Sequence, residues 1–179
     1  PSSMMPVYGM AEATLAVTFS PVGQGSSTLG VDRRTLEEGG RAVRSSAGEA
    51  RKAVSVGRPL AGTSVSIIDA SGKVVEAGTV GEVRVSGPSL MDGYFRNDDA
   101  SAAVLRDGWL STGDLGFIAD GTLFIVGRAK EMVIKAGRNL YPYDVERVVG
   151  ELTGIRLGGV AAFGRENGDT GTDDLVVVA

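Results

Sequence analysis

Leu115-Gly116-Phe117-Ile118-Ala119-Asp120-Gly121-Thr122-Leu123-Phe124-Ile125-Val126 decides the fold. Two apolar runs meet at Asp-Gly, a pair that accepts the left-handed backbone angles of a tight two-residue turn, so the stretch reads as a β-hairpin. Upstream, Gly81-Glu82-Val83-Arg84-Val85-Ser86 alternates polar and apolar residues as a half-buried strand does. Ser64-Val65-Ser66-Ile67-Ile68-Asp69 reads as a strand followed by a Ser71-Gly72 turn and Val74-Val75. Between them and the hairpin, Asn97 can cap a short helix running to Leu105, with Asp98 and Asp99 placed favourably against its dipole and Gly108 marking a stop. Downstream, Met132-Val133-Ile134 is a further strand. Pro142 suits the first position of a helix that should bury Val145, Val148, Val149 and Leu152, spaced i, i+3, i+4, i+7. Val160-Ala161-Ala162-Phe163 and Leu175-Val176-Val177-Val178 close the chain as strands. The expected fold class is α+β and β-rich, with a β unit before residue 128 and an α+β unit after it.

The 179 residues suffice for one ordinary domain or two small ones. Glycine, at 27 residues, has about twice its usual share of roughly 7% without a collagen-like period, which implies many tight turns. The formal charge of -4 argues against a general nucleic-acid surface. Cysteine and histidine are absent, which removes disulfides, thiol nucleophiles, Cys/His zinc sites and any histidine-based triad. Carboxylates, lysines, arginines and bound magnesium are what remain for catalysis. No apolar run is long enough to cross a membrane. The opening Pro1-Ser2-Ser3-Met4-Met5 has no basic leader, and a cytoplasmic location is expected. Both ends look like cuts through a longer chain. From Pro21 to Ala53 the sequence is a long Gly/Ser/Arg-rich loop in which residues 32–39 can form one short helix, capped by Asp32 and ended by Gly39.

Three motifs carry polar residues of the kind chemistry uses. In Tyr8-Gly9-Met10-Ala11-Glu12 an aromatic ring can stack on a purine, a glycine lets a ligand approach the backbone, and a carboxylate can hold magnesium on phosphates. Taken alone it is equally a buried turn with an incidental Glu. In Trp109-Leu110-Ser111-Thr112-Gly113-Asp114 the carboxylate can accept from both hydroxyls of a ribose, or simply cap a turn. Gly127-Arg128-Ala129-Lys130-Glu131, then Lys135-Ala136-Gly137-Arg138-Asn139-Leu140-Tyr141-Pro142, is a solvated strand end and a turn into a helix, unless its order matters.

The order of these motifs resembles the adenylate-forming superfamily of acyl-CoA synthetases, luciferases and adenylation domains. There a Tyr-Gly-x-x-Glu turn precedes Gly-Tyr (Gly93-Tyr94 in this sequence), Thr-Gly-Asp, Gly-Arg-x-Lys and a Gly loop before Tyr-Pro. The resemblance covers essentially the whole chain. It implies the end of a large domain with a distorted β-barrel subdomain at residues 1–127, a hinge at 128–130 and part of a small α+β domain at 131–179. It implies ATP/AMP and Mg²⁺ as cofactors and an enzyme. Tyr8, stacked on adenine, would bind the nucleotide with Gly9, Met10, Asp114 and Arg128, the last two on the ribose. Glu12 would ligate Mg²⁺, Lys130 would serve as the hinge residue, and Gly137 would let the acceptor's thiol arm pass. The ribose clamp of Asp114 and Arg128 is expected to straddle the domain boundary. The phosphate loop and a late catalytic lysine of the family fall outside this sequence, so the piece alone is expected to be inactive.

Within the superfamily the sequence is most similar to the fatty acyl-AMP ligases. Ala11 stands where many members have Thr, Tyr8 to Thr14 follows the branch's pattern, Gly137-Arg138-Asn139 precedes the last helix, and residues 22–53 look like an insertion. The branch implies activation of a fatty acid to acyl-AMP and transfer to an acyl-carrier protein, with the insertion restraining domain rotation. The alternatives are a fatty acyl-CoA synthetase that uses CoA and a non-catalytic adenylation-like module. A tolerated surface insertion is the plainer reading of residues 22–53.

Overall fold

The computed structural model describes residues 3–48, 50–156, 158–168 and 171–179. In chain order, β1 (Val7–Tyr8) is followed by a 3-10 turn at Ala11–Ala13, β2 (Thr18–Phe19), β3 (Thr28–Val31), α1 (Arg33–Gly39) and β4 (Arg51–Pro59). Then come β5 (Ser64–Ile68), β6 (Gly81–Ser86), α2 (Asp98–Val104), β7 (Leu105–Arg106), β8 (Trp109–Ala119) and β9 (Thr122–Arg128). The last part holds β10 (Val133–Lys135), β11 (Arg138–Leu140), α3 (Pro142–Gly150), β12 (Ala161–Asn167) and β13 (Thr172–Val178). The fold is β-rich α+β, as expected.

A nine-stranded antiparallel sheet runs β1-β2-β4-β9-β8-β6-β5, with β3 added to β4 and β7 to β8. Its centre is the β8–β9 hairpin. Asp120 (φ 51°) and Gly121 (φ 71°) both take left-handed angles, the turn that a two-residue hairpin needs. The hairpin is apolar without alternation because both its faces are covered. Phe117, Phe124 and Val126 face one buried cluster, in which the Phe117 and Phe124 rings stack 4.9 Å apart. Leu123, Ile118 and Ile125 face a second cluster, with Val83, Val85 and Ile67.

Residues 22–53 are more ordered than their composition suggests. β3 pairs with the start of β4, so that Leu29 lies opposite Ala53. Asp32 caps α1 by accepting the Thr35 amide, as the sequence predicts, but the helix ends on Gly40 (φ 58°), one residue beyond the expected Gly39. Val31 and Leu36 are fully buried in the Phe117 cluster. Few apolar residues suffice here, because Val31, Leu36 and Ala53 reach the centre of the sheet and Leu29 and Ala42 pack against them.

Two further expectations change. Val74-Val75 makes only an isolated bridge to Ile68. The face of α3 is not buried: Val148 and Leu152 are 52% and 59% exposed, and Leu152 lies past the helix end. Periodicity identifies a face suited to burial but does not supply a surface to cover it. Among the described residues α3 packs on β12, where Glu146 accepts the Ala162 amide.

Phe117 is fully buried at the sheet centre. Phe117→Ala is expected to lower stability by about 3–5 kcal/mol, from lost burial and the cavity left behind, read as a fall in the urea midpoint.

Candidate nucleotide site

The site forms where β8 departs from regular pairing. Glu82 pairs with Leu115 and Arg84 with Ser111, so Val83 alone spans Thr112, Gly113 and Asp114. Gly113 absorbs the bulge with φ 72°, an angle that favours glycine. Thr112 Oγ1 donates to the Val83 carbonyl at 2.7 Å and accepts the Asp114 amide at 3.1 Å. The Gly113 amide, left unpaired by the bulge, donates to Glu82 Oε1 at 3.2 Å.

Asp114, nearly buried, holds two partners. The Tyr8 hydroxyl donates to its Oδ2 at 2.6 Å, and Arg128 Nε donates to Oδ1 at 2.8 Å. Arg128 is the cross-strand partner of Asp114 in the same hairpin. Both belong to one sheet, Arg128 as the last residue of β9, and the polar turn at residues 129–131 follows them. A carboxylate has about four lone-pair sites, so the pair leaves about two for a ligand.

These groups open on a cavity of about 590 Å³ lined by Gly9, Met10, Glu12, Glu82, Tyr94, Asp114, Arg128 and Lys130. Six of the predicted site residues thus share one space. Tyr8 is not in its lining; its ring packs against the Val17–Val83 cluster while its hydroxyl reaches Asp114. Gly9 has a steric reason of its own, since a Cβ there would sit 1.5 Å from the Leu15 carbonyl oxygen. Gly137 lies apart, in the β10–β11 turn, with φ 76° and open space beside it. That turn is tied to β13, where Ala136 N donates to Thr172 and Lys135 pairs with Asp174 at 2.9 Å.

Sequence reasoning missed Glu82 and the function of Tyr94. The Tyr94 hydroxyl donates to Glu12 Oε1 at 2.9 Å across 82 residues, and the Met91 amide donates to the Glu12 carbonyl at 2.8 Å. A carboxylate on an alternating strand looks like any solvent-facing one; only the pairing offset reveals its partner. Among the described residues no cluster of three metal-ligating side chains exists. The single carboxylate of Glu12 in a polar cavity still fits magnesium, which is held typically by one or two carboxylates with waters and phosphate oxygens.

The bond from Tyr8 to Asp114 has an electrostatic consequence. Burial first, then the bonded carboxylate, pushes the Tyr8 phenol well above the ordinary tyrosine range. The bond to Asp114 likewise strengthens the hold of Arg128 on its proton.

Residues 22–53 also meet the last part of the chain. Arg138 on β11 bonds Glu37 of α1, which is buried. Arg51 pairs with Asp144 of α3 at 2.9 Å, lies 4.4 Å over the Tyr141 ring, and donates to the Val126 carbonyl at 3.0 Å. Among the described residues no helix is long and apolar enough to cross a membrane.

Comparison with known proteins finds relatives over nearly the whole chain. Residues 1–95 match the family described as AMP-binding enzyme. A Mycobacterium tuberculosis protein named as a ligase is 38% identical over 179 residues, covering 99% of this chain and 33% of its own. The 4-hydroxyphenylalkanoate adenylyltransferase of Mycobacterium tuberculosis is 36% identical over 190 residues, covering 99% of this chain and 30% of its own. A solved structure from a study of fatty acyl-adenylate ligases from E. coli and L. pneumophila superposes with a TM-score of 0.89 at 35% identity. That superposition covers 98% of this chain and 32% of the other. The chain thus spans about a third of the length of the relatives it matches.

With its pKa raised in the folded state, Tyr8 contributes stability that is complete below the unfolded tyrosine pKa of about 10 and is lost as pH rises above it. Urea midpoints from pH 7 to 11 are expected to fall more steeply above about pH 10 for the wild type than for Tyr8→Phe.

Proposed function

The chain belongs to the AMP-binding enzymes, and we propose on that premise that the protein containing it activates a fatty acid with ATP and passes the acyl group to an acyl-carrier protein. The observation that carries the reading is the Asp114–Arg128 pair, opening with Glu12 on one cavity. In this reading the substrate carboxylate attacks the α-phosphorus of ATP, the bond to the bridging oxygen breaks, and pyrophosphate leaves with the electron pair. The carboxylate is its own nucleophile, so a segment without His or Cys suits the reaction. Positioning and charge stabilisation are what the protein must supply.

Asp114 accepts from the ribose hydroxyls with its free lone pairs, and Arg128, its exposed guanidinium anchored at Nε, offers its remaining donors to the same sugar. Gly9 and Met10 border the base, while Tyr8 acts from outside the cavity by bracing Asp114 through its hydroxyl. Glu12, steadied by Tyr94, holds Mg²⁺. The ion, when bound, neutralises charge on the phosphates. Lys130 lies in the turn that follows β9, and we read residues 128–130 as a hinge between a unit ending at 127 and one beginning at 131. Gly137 offers an unobstructed turn past which a thiol arm can move. We read the protein as cytoplasmic, which the absence of cysteine fits.

Carrier protein rather than CoA is favoured by the docking of residues 22–53. Glu37–Arg138 and Arg51–Asp144 tie them to the unit after the hinge. A segment bonded to both sides of a pivot biases its angle, because only contacts that differ between two states shift their balance.

The test is the product formed by the full-length protein from ATP and a fatty acid. Acyl-AMP, with transfer to a phosphopantetheinylated carrier protein and little acyl-CoA, is expected; efficient acyl-CoA formation selects the CoA-ligase alternative. Asp114→Ala is expected to weaken ATP binding about 10- to 100-fold, the loss of hydrogen bonds to a charged group, measured by calorimetry. Shortening residues 22–50 is expected to raise acyl-CoA formation, and an unchanged product ratio would remove the restraint reading.

A further inference from the structure

We infer that Glu82 is a positioning residue, one that sets the sugar specificity of the nucleotide site by holding the bulge that aims Asp114. The inference rests on the reading of Asp114 as the sugar-binding carboxylate.

Asp114 is not presented by a regular strand. Val83 spans three residues of β8, and regular pairing resumes at Leu115. Such a bulge leaves an amide without a ladder partner, and in a part-buried place that amide must be satisfied from elsewhere. Glu82 does this from the facing strand by accepting Gly113 N–H. The following peptide, Gly113–Asp114, is held as well, because its carbonyl accepts the Ala129 amide at 2.9 Å. Thr112 ties the bulge to Val83 and caps the Asp114 amide. Gly113 contributes no side-chain contact, since a Cβ there would meet nothing within 4 Å. Among the described residues Glu82 is therefore the side chain that fixes the orientation of the Gly113 amide, and the next residue is Asp114.

The fold does not require a carboxylate for this. The sheet continues on both sides of the bulge, with Val83 and Val85 in the core, while Glu82 points into the cavity beside Asp114. A strand residue with no purpose beyond solubility would not face a ligand-sized space while bonding the peptide before the binding carboxylate.

The test uses the full-length protein and calorimetric binding of ATP, 2′-deoxy-ATP and 3′-deoxy-ATP. Wild type is expected to prefer ATP. Glu82→Met, which keeps length but loses the acceptor, is expected to weaken ATP about tenfold, as loss of one charge-assisted hydrogen bond does, and to leave the deoxy analogues nearly unchanged. Glu82→Gln keeps an acceptor oxygen and is expected to retain the preference. Glu82→Asp keeps the charge but falls short of Gly113, and is expected to behave as Glu82→Met. A general structural defect would weaken all three nucleotides together. If Asp114→Ala abolishes the preference for ATP while Glu82→Met and Glu82→Asp keep it, the positioning role is overturned. If neither Glu82 variant folds, the residue belongs to the framework and the inference is equally overturned. If wild type shows no preference, or Asp114→Ala retains it, the fault lies in the sugar-binding reading instead.

Discussion

A single ion pair organises this part of the molecule. Asp114 and Arg128 face each other across the β8–β9 hairpin, and Tyr8 closes on the same carboxylate from the far edge of the sheet. The hairpin brings two residues separated by 14 positions to 2.8 Å, and the sheet brings in a third from 106 positions away. An isolated surface pair of this kind is worth little. Here the carboxylate is nearly buried and the guanidinium faces the cavity, so the pair is an organised reserve of hydrogen-bonding sites aimed at a ligand.

The hairpin does this because packing on both its faces fixes its register. Its two apolar strands are sandwiched between separate clusters of buried side chains, and a shift by one residue would exchange the two faces. Toward its open end the pairing is irregular, with β8 bulged against β6 and Val126 an extra residue of β9 against β8. Local departures of this kind are a common way for a sheet to aim a side chain. The same core extends outward: Leu36 and Val31 from residues 22–53 and Tyr141 from beyond the polar turn all enter the Phe117 cluster. Residues 22–53, the β8–β9 hairpin and the chain just after the polar turn are therefore packed as neighbours, with Arg51 held between Asp144 and Tyr141. The buried Arg51–Asp144 pair pays a desolvation cost and is valued more for the arrangement it specifies than for stability.

Local rules were legible in particular residues. Asp120-Gly121 announced the hairpin, Asp32 and Asn97 their helices, and Pro142 the start of α3. Each acts through its own backbone or the next turn, so its meaning is complete within a few positions. The inward face of α3 was read but is not covered, and the strand β3 was missed because Thr28–Val31 becomes a strand only by pairing with β4. The order of Tyr8, Glu12, Asp114, Arg128 and Lys130 singles out candidate site residues, of which all but Tyr8 line one cavity. That Asp114 and Arg128 are cross-strand partners in one hairpin is not visible in their spacing.

By itself the sequence determined most of the elements, the β-rich class, the family and the principal polar residues, because these follow from short-range chemistry and motif order. Only the tertiary structure decided the registers. Those registers turn Glu82 toward Gly113, join Tyr94 to Glu12, and lay residues 22–53 on the unit after the polar turn. The physical reason is the same in each case: a hydrogen bond over tens of residues depends on the offset between paired strands, and that offset is set by how both faces of a sheet pack at once.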